Sequence, residues 1–273
     1  MQKFQLREIE VKSILTKSKL PETDYVINPY IGCMHSCVYC YAVFMKRFTN
    51  HKEPWGRFVD VKINSVKVLE KEIKTAKKGV VLLSSVTDAY HPIEIKYELT
   101  REILKILLKY QFPISILTKS DLVTRDLDIL TQFKNCNVGF SFLSFDNRHR
   151  KDFEPVATPP QKRLEAMKRL KENGIQTYAF IGPIFPFLTD LTAMFKKFKE
   201  LKTDFIFCEN LNHKAGTWQE ISKTIKTKYP ELSKKYEGIF FANNEYWIDV
   251  ENQIIKLANE FDIKTKVFFH HNN

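Results

Sequence analysis

Three cysteines stand close together in the first part of the chain. Cys33, Cys37 and Cys40 have the spacing C-x3-C-x2-C. Three thiolates on one short loop can each bind a different iron of a [4Fe–4S] cluster, because soft sulfur ligands suit iron–sulfur sites. The fourth iron would then have no protein ligand and would stay open to a substrate or a cofactor.

A zinc ion is the alternative occupant, with His35 or His51 as its fourth ligand. Structural zinc sites usually present their cysteines as two separated pairs, and this chain of five cysteines has no second pair. The N-terminal residues show no signal segment, and no apolar run reaches the roughly 20 residues of a membrane span. We therefore expect a cytoplasmic protein with reduced thiols, in which iron–sulfur is favoured over zinc.

The cysteine segment resembles the radical S-adenosylmethionine (SAM) superfamily. The string from Asn28 to Ala42, with Tyr39 before the last cysteine, is similar to the branch related to spore photoproduct lyase. Further motifs of that branch follow in order at Thr87–Glu94, Leu99–Arg101, Thr118–Ser120, Arg125–Asp126, Phe153–Pro155, Arg163–Glu165 and Gly182–Pro186. Each motif alone is weak, and the resemblance depends on their order and spacing over about residues 10–215.

This resemblance implies a fold and a chemistry. The fold is an α/β partial (β/α)6 TIM barrel of the radical SAM type, with Cys33, Cys37 and Cys40 holding a [4Fe–4S] cluster. SAM binds the open iron through its amino and carboxylate groups, and one electron from the reduced cluster cleaves it. The resulting 5′-deoxyadenosyl radical abstracts hydrogen from the substrate. A reducing electron donor of the flavodoxin or ferredoxin type is also implied.

By position, the resemblance also assigns residues to SAM. Tyr39 is placed near the adenine. Ser84, Ser85 and Thr87 are placed near the amino group, and Lys119 and Ser141 are placed near the carboxylate. A lysine ammonium is a suitable partner for a carboxylate. Taken alone, serine and threonine at these positions are equally typical of caps and turns.

Two departures from spore photoproduct lyase concern the substrate. The lyase has a hydrogen-donating cysteine where this chain has Ser85, and tyrosines where this chain has Val61 and Lys62. A serine O–H bond is too strong to replace a thiol as hydrogen donor. We therefore expect a radical SAM enzyme other than the lyase itself. Nucleic acid, DNA or tRNA, is the favoured substrate. The alternatives are a peptide or small metabolite, or a non-catalytic zinc or iron–sulfur protein that binds nucleic acid.

The basic charge is the reason for favouring nucleic acid. The formal net charge is +11, and residues 44–78 hold ten Lys and Arg against four acids. Phe44, Phe48, Trp55 and Phe58 are interleaved with them. Cations beside flat rings are typical of nucleic-acid binding. The alternative is a solvated helix face whose aromatic residues lie in the core.

Short apolar runs alternate with amphipathic segments along the chain. Strands are predicted at 25–27, 80–83, 114–117, 138–143, 177–181, 204–207 and 264–269, and helices at 65–78, 99–110, 122–133, 159–173, 189–200, 217–228 and 244–260. For the first helix, Asn64 is the expected N-cap and Gly79 the expected C-terminal stop. The alternation predicts a parallel sheet, either an open doubly wound sheet or a partial barrel, with its site at the carboxyl ends of the strands.

We expect an N-terminal extension at 1–24, the barrel core at 25–215 and a C-terminal extension of helices and a strand at 216–273, packed on the barrel. The sequence does not specify the oligomeric state. Cys136 is predicted to be an inert core thiol, whereas Cys208 is either a hydrogen donor or a buried structural thiol.

Five histidines remain. His91, His149 and His213 lie in predicted loops at the carboxyl ends of strands, as proton donors or as solvated side chains. The pair His270 and His271 has no spaced third metal ligand.

Overall fold

The structure is a computed structural model that describes residues 4–213, 216–242 and 245–270. The strands are β1 (Gln5–Ile9), β2 (Thr16–Lys17), β3 (Tyr25–Ile27), β4 (Tyr30–Ile31), β5 (Phe58–Lys62), β6 (Val81–Leu83), β7 (Ile114–Thr118), β8 (Cys136–Phe142), β9 (Gln176–Ile184), β10 (Phe205–Asn210) and β11 (Lys264–Phe268). The helices are α1 (Ser65–Glu72), α2 (Glu94–Tyr97), α3 (Leu99–Lys109), α4 (Leu127–Leu130), α5 (Asn147–Phe153), α6 (Pro160–Glu172), α7 (Leu191–Glu200), α8 (Trp218–Lys228), α9 (Ser233–Phe241) and α10 (Glu245–Phe261). Shorter 3-10 helices lie at Tyr41–Phe48, Asp121–Asp126 and Pro230–Leu232.

The main sheet has the strand order β11-β10-β9-β8-β7-β6-β3-β2. Neighbouring strands are parallel from β3 to β11, and only β2 is antiparallel to its neighbour. Helices connect the parallel strands, as right-handed βα crossovers require. The sheet is the predicted α/β partial barrel, and the open-sheet alternative is not adopted.

Side chains alternate between two environments along each barrel strand, because a strand points successive residues to opposite faces. On β10, Ile206 and Cys208 are fully buried in the core that packs against the helices, whereas Phe207 and Glu209 are partly exposed. The register aligns Phe207 with Phe180 of β9. The partly exposed set therefore faces the barrel lumen.

The helices cover the outer face of the sheet. On α3, Ile103, Leu104 and Leu107 are fully buried, and each such side chain contributes about 1.5–3 kcal/mol on leaving water. Their spacing of three and four residues places them on one face. On α6, Pro160 occupies the first turn, where its missing N–H costs nothing.

The end of the first predicted helix is wrong. α1 ends at Glu72, and the residues at its two ends bond to distant parts of the chain. The side chain of Asn64 does not cap the helix; it accepts from the Val11 N–H at 2.9 Å and donates to the Val11 carbonyl at 3.0 Å. The carboxylate of Glu72 accepts the backbone N–H groups of Ile14 and Leu15.

The pattern of alternating segments also missed several elements. A second sheet of order β1-β5-β4 precedes the second barrel strand, and α5 and α9 lie in segments without a helix prediction. β11 joins the main sheet beside β10, and Lys266 of β11 forms an ion pair with Glu22 in the loop before β3. No helix in the described ranges is long and apolar enough to cross a membrane.

Candidate active site

The loop that carries the three cysteines follows β4 directly. Gly32 begins it at φ +87°, and a Cβ there would lie 2.4 Å from the carbonyl oxygen of Phe58, so only glycine fits. Thr87 donates its hydroxyl to the Gly32 carbonyl at 2.6 Å. Farther along, the Val38 N–H donates to the carbonyl of Phe153 at 2.9 Å. Contacts from three parts of the chain therefore fix the shape of this cysteine loop.

One buried carboxylate connects the cysteine loop to the barrel. Asp88 follows β6, and its Oδ2 lies 3.0 Å from Nε2 of His35, a residue that stands between the first two cysteines in the sequence. Asp88 also accepts the hydroxyl of Thr118 at 2.7 Å and the backbone N–H of Lys119 at 2.8 Å, both at the end of β7. Burial alone would raise the pKa of Asp88, but His35 and these hydrogen bonds hold it well below its usual range.

The three thiols of the cysteine loop share one electrostatic environment. Burial raises the pKa of Cys33, Cys37 and Cys40, and their mutual interaction raises it further for the first two. The buried indole N–H of Trp55 has no acceptor in place. It lies beside Cys40, where it opposes the rise in pKa that burial causes. The Trp55 N–H beside the Cys40 sulfur is what a cluster site requires, since N–H groups that point at the sulfurs of a cluster are a usual feature of iron–sulfur sites.

Within the described ranges, no three His, Cys, Asp or Glu side chains converge as ligands of a single metal ion. A [4Fe–4S] cluster does not need such convergence, because each thiolate binds a different iron. Cys33, Cys37 and Cys40 are thus the residues that would hold the cluster.

A buried group of charges lies next to the cysteine loop. Glu154 is only 1% exposed and accepts hydrogen bonds from the hydroxyl of Tyr39 and, at 2.5 Å, from the guanidinium of Arg163. Lys119 Nζ lies 4.0 Å from Glu154 Oε1 and 5.7 Å from the centroid of the Tyr39 ring. Burial would raise the pKa of Glu154, but Arg163 and Lys119 lower it. Cys37 and Glu154 in turn raise the pKa of Lys119 against the effect of burial.

The other residues predicted to contact SAM have different surroundings. Ser84 adopts a left-handed conformation at φ +71°, and its buried Oγ has no hydrogen-bond partner. Thr87 and Ser141 use their hydroxyls to bond the carbonyls of Gly32 and Gly182. Within the described residues, the hydroxyl of Ser84 is therefore the unused group of this set, and the assignment of the whole set to SAM stays a prediction.

Hydrogen bonds to its backbone N–H and carbonyl groups hold Ser85 in place. Its N–H donates to Asn28 Oδ1 at 2.9 Å, and its carbonyl accepts the hydroxyl of Tyr41. Asn28 accepts the N–H of Val86 as well, at 3.2 Å. The side chain of one asparagine therefore fixes the turn after β6, a role that the resemblance did not assign.

The remaining thiols are structural. Cys208 is fully buried on the helix-facing side of β10, which agrees with the structural alternative and not with a hydrogen donor in the lumen. Cys136 packs against the core, and burial raises its pKa to about 12.

The three histidines expected in loops have different surroundings, and His149 lies on helix α5 instead of in a loop. His91 is fully buried against the Tyr30 ring, and burial lowers its pKa to about 3, so it stays neutral. His213 contacts the rings of Trp218 and Phe240. His149 is partly buried and bonds Ser144 Oγ at 2.8 Å.

Sequence reasoning missed a polar pair at the ends of β10 and β11. His270 Nε2 lies 2.9 Å from Glu209 Oε1, and the His270 N–H donates to Asn210 Oδ1 at 2.8 Å. The available signal was the position of both residues at the carboxyl ends of parallel strands. His271 lies outside the described residues.

Comparison with known proteins agrees with this site. The chain matches the family described as the radical SAM superfamily over residues 27–198. It is 42% identical to an uncharacterized protein of Methanocaldococcus jannaschii over 265 residues, which is 97% of each chain. It is 22% identical to the radical SAM Nalpha-GlyT isomerase of Pseudomonas phage M6, covering 79% of this chain and 45% of that protein.

The fold is similar to that of a spore photoproduct lyase variant solved with bound AdoMet and dinucleoside spore photoproduct. The TM-score is 0.67 at 16% identity, and the match covers 97% of this chain and 82% of that one. The cysteine loop, the partial barrel and the family match lead to one conclusion: this chain belongs to the radical SAM superfamily and is an enzyme that uses a [4Fe–4S] cluster and SAM.

Proposed function

We propose that this radical SAM enzyme acts on a nucleic acid, which binds across the surface that follows the cysteine loop. The observation that carries the proposal is the 3-10 helix Tyr41–Phe48, which begins directly after Cys40. Three of its aromatic side chains are exposed: Tyr41 by 50%, Phe44 by 38% and Phe48 by 64%. Such exposure of large rings on one short element is unusual unless they bind a partner.

The exposed rings are interleaved with a cation. The guanidinium of Arg47 lies 5.3 Å from the centroid of Phe44 and 4.7 Å from that of Phe48, and the rings of Tyr41 and Phe44 are stacked. We call Tyr41, Phe44, Arg47 and Phe48 the aromatic ridge. Stacking rings with an adjacent arginine are the features with which proteins hold single-stranded nucleic acid.

The rest of the basic stretch 44–78 is a different kind of surface. Phe58 is fully buried, and the Trp55 ring packs on it edge to face. On α1, Lys67 and Lys71 are exposed while Leu69 faces the core. The proposed binding surface is therefore the aromatic ridge, and α1 is a solvated helix face.

When bound, the cluster and SAM supply a radical that abstracts a hydrogen atom from the substrate. The residues of this chain would orient these groups: the cysteine loop would hold the cluster, and the Lys119 ammonium would pair with the SAM carboxylate. The hydroxyl of Tyr41, bonded to the Ser85 carbonyl, positions the ridge beside this site. We further propose that the electron comes from a reduced flavodoxin or ferredoxin in the cytoplasm.

One fold neighbour supports the choice of substrate through its title alone, since it was solved with a dinucleoside spore photoproduct. Ser85 stands where the lyase has its donor cysteine, and the structure offers no thiol on the lumen side of β10 in its place, so repair of that photoproduct is not proposed.

The test begins with anaerobic reconstitution. We expect a brown protein with about four irons per chain that releases 5′-deoxyadenosine when given dithionite and SAM. Binding of single-stranded DNA, duplex DNA and tRNA is then measured by fluorescence anisotropy at several salt concentrations, because phosphate contacts weaken as salt rises. At least one of the three should bind in a salt-dependent way.

Arg47→Gln and Lys71→Gln form a matched pair, since each removes one positive charge from an exposed surface. Arg47→Gln should weaken binding about tenfold, as loss of a stacked cation implies, whereas Lys71→Gln should change it little. Equal effects of the two variants would show that only net charge matters. If no nucleic acid binds while SAM is still cleaved, the substrate is a peptide or a small metabolite.

A further inference from the structure

His51 is enclosed on both sides by carboxylates, although the sequence suggested it as a zinc ligand. Its side chain is completely buried. Its Nδ1 lies 3.0 Å from Glu53 Oε2, and its Nε2 lies 2.8 Å from Asp60 Oδ1. Because both ring nitrogens are engaged in hydrogen bonds, neither is left for a metal ion. The structure therefore gives His51 a role other than metal binding.

These contacts fix the segment between the aromatic ridge and β5, which we call the indole loop (residues 49–57). Near its start, the backbone N–H of His51 donates to Thr49 Oγ1 at 3.3 Å. The imidazole is stacked on the ring of Phe58, with the centroids 4.0 Å apart and the planes inclined at 19°. One of its nitrogens is bonded within the loop and the other to Asp60 on β5. A single buried side chain therefore ties the indole loop to the strand that follows it.

The indole loop packs directly against the cysteine loop. A Cβ at Gly56 would lie 2.2 Å from Ser36 Oγ and 2.8 Å from Ser36 Cα, and Ser36 stands directly before Cys37. A second contact joins Gly32 to Phe58, whose carbonyl oxygen would lie 2.4 Å from a Cβ on that glycine. Since neither contact has room for another atom, the position of the indole loop and that of the cysteine loop depend on each other.

Trp55 is the residue of the indole loop that could act on the cluster. Its ring packs edge to face on Phe58, with the centroids 5.8 Å apart. Its Nε1 is buried and, in the part of the chain that the structure describes, has no hydrogen-bond partner. The N–H group lies beside Cys40. A buried donor without an acceptor is unfavourable, so sulfur of a cluster bound at Cys40 would satisfy a group that is otherwise unpaired.

We propose that His51 is a positioning residue for the cluster: by fixing the indole loop, it directs the Trp55 N–H at cluster sulfur, and this hydrogen bond raises the reduction potential of the cluster. The reduced cluster carries one electron more than the oxidised cluster, so its sulfurs are more negative. A donor to sulfur therefore stabilises the reduced form more than the oxidised form. The proposal concerns the reduction of the cluster and does not depend on the substrate.

The first experiment removes the donor and keeps an aromatic ring. Trp55→Phe and the control Trp247→Phe are reconstituted anaerobically, and the midpoint potential of the cluster is measured without SAM by a dithionite titration followed by EPR spectroscopy. Trp247 is a buried indole on α10, which packs against α7 and β11. The reduction equilibrium of Trp55→Phe should become about tenfold less favourable, which lowers the potential by about 59 mV. Trp247→Phe should keep the wild-type potential. An unchanged potential in Trp55→Phe would overturn the proposal.

The second experiment tests the positioning role of His51. His51→Gln should lower the potential in the same direction as Trp55→Phe, because the loop no longer holds the indole against the sulfur. The double variant should have a potential no lower than that of Trp55→Phe alone, since both residues act through one hydrogen bond. Additive shifts, or a wild-type potential in His51→Gln, would contradict the role of His51.

Glu53→Gln gives the same comparison if thermal unfolding shows that His51→Gln does not fold. The Glu53 side chain is partly exposed, and its replacement leaves the pair of His51 and Asp60 in place. It should shift the potential by less than Trp55→Phe does, and this shift should vanish when Trp55 is already Phe. No shift, or the same shift in both backgrounds, would contradict the proposal. The iron content of each variant shows that the cluster is present when its potential is measured.

Discussion

At the mouth of the barrel, two sides are built in different ways. The cysteine loop and the ends of β6, β7 and β8 are joined by buried bonds, among them Asp88 to His35 and Glu154 to Arg163. The aromatic ridge that follows this loop, and the ends of β10 and β11, instead leave rings such as Phe48 exposed and polar groups such as Glu209 partly exposed.

This difference separates two tasks. Chemistry with a fixed cofactor requires preorganised groups whose positions do not depend on the ligand, and buried, fully bonded side chains supply them. A large substrate must enter and leave, which requires an accessible surface whose contacts add affinity but little stability. Variants on the buried side should therefore lose the folded site, whereas variants on the open side should lose only binding.

The largest effect is expected from Cys33→Ala. The change removes one of three cluster ligands, and release of 5′-deoxyadenosine should fall to background because no reduced cluster is left to cleave SAM. Iron content and the visible absorption of the reconstituted protein measure the loss. Cys136→Ala serves as control, since that thiol packs in the core and should leave iron content unchanged. A brown, active Cys33→Ala protein would remove the cysteine loop from the reaction.

Glu154→Gln should cost about 3–5 kcal/mol of the free energy of unfolding, because it leaves the buried Arg163 without a counter-charge. The apparent Tm should fall by about 10 °C. Glu165→Gln is the control, since that carboxylate is exposed and accepts a hydrogen bond from the exposed Gln161.

The same variant has an expected pH dependence. The folded-state pKa of Glu154 is lowered below its usual value of 4.5. Its charge therefore contributes stability that is present above pH 4.5 and is lost as the pH falls through the lower, folded-state pKa. The difference in Tm between wild type and Glu154→Gln should be constant at neutral pH and shrink below pH 4.5. A difference independent of pH would show that lost packing, not charge, causes the effect.

Gly32→Ala and Gly174→Ala test the shape of the cysteine loop. Both glycines have positive φ, +87° and +79°, so alanine costs about 1 kcal/mol of backbone strain at each. Only at Gly32 does the added Cβ meet an atom, the Phe58 carbonyl oxygen, whereas nothing lies within 4 Å at Gly174. Urea unfolding should therefore show the larger loss for Gly32→Ala, and only this variant should retain less iron. Equal losses would mean that the loop can shift without consequence.

The smallest effect on the fold is expected from Phe48→Ala on the ridge. The side chain is 64% exposed, so the free energy of unfolding should change by no more than about 0.5 kcal/mol. Affinity for single-stranded nucleic acid should fall about tenfold through the lost stacking. A variant that unfolds readily but binds normally would reverse the proposed roles of the two sides.

Much of the fold could be read from local pattern. The six barrel strands from β3 to β10 and the helix α3 lie within a few residues of their predicted positions, because buried parallel strands give continuous apolar runs and α3 has a clear apolar stripe. α1 was predicted too long, since Asn64 and Glu72 form their bonds with residues more than fifty positions away. Local sequence contains no signal for such partners.

The site was predictable to a similar extent. The spacing of the cysteines and the order of the motifs identified the superfamily, and they predict Cys33, Cys37 and Cys40 as the ligands of the cluster. Glu154 and Arg163 lay within recognised motifs, but their contact with Tyr39 and their place beside Lys119 were not visible in the sequence. Glu209 and His270 are 61 positions apart in the sequence, so local pattern gave no sign that they bond.

The sequence by itself determined the chemistry: three thiols on one loop, a parallel α/β order and a basic, aromatic stretch beside the cysteines. Only the tertiary structure decided which rings face water, that Cys208 faces the helices and not the lumen, and which carboxylate pairs with which cation. The reason is physical. Ligand type and strand periodicity are properties of neighbouring residues, whereas burial, the shift of a pKa and the facing of a side chain depend on what the fold brings against it from distant parts of the chain.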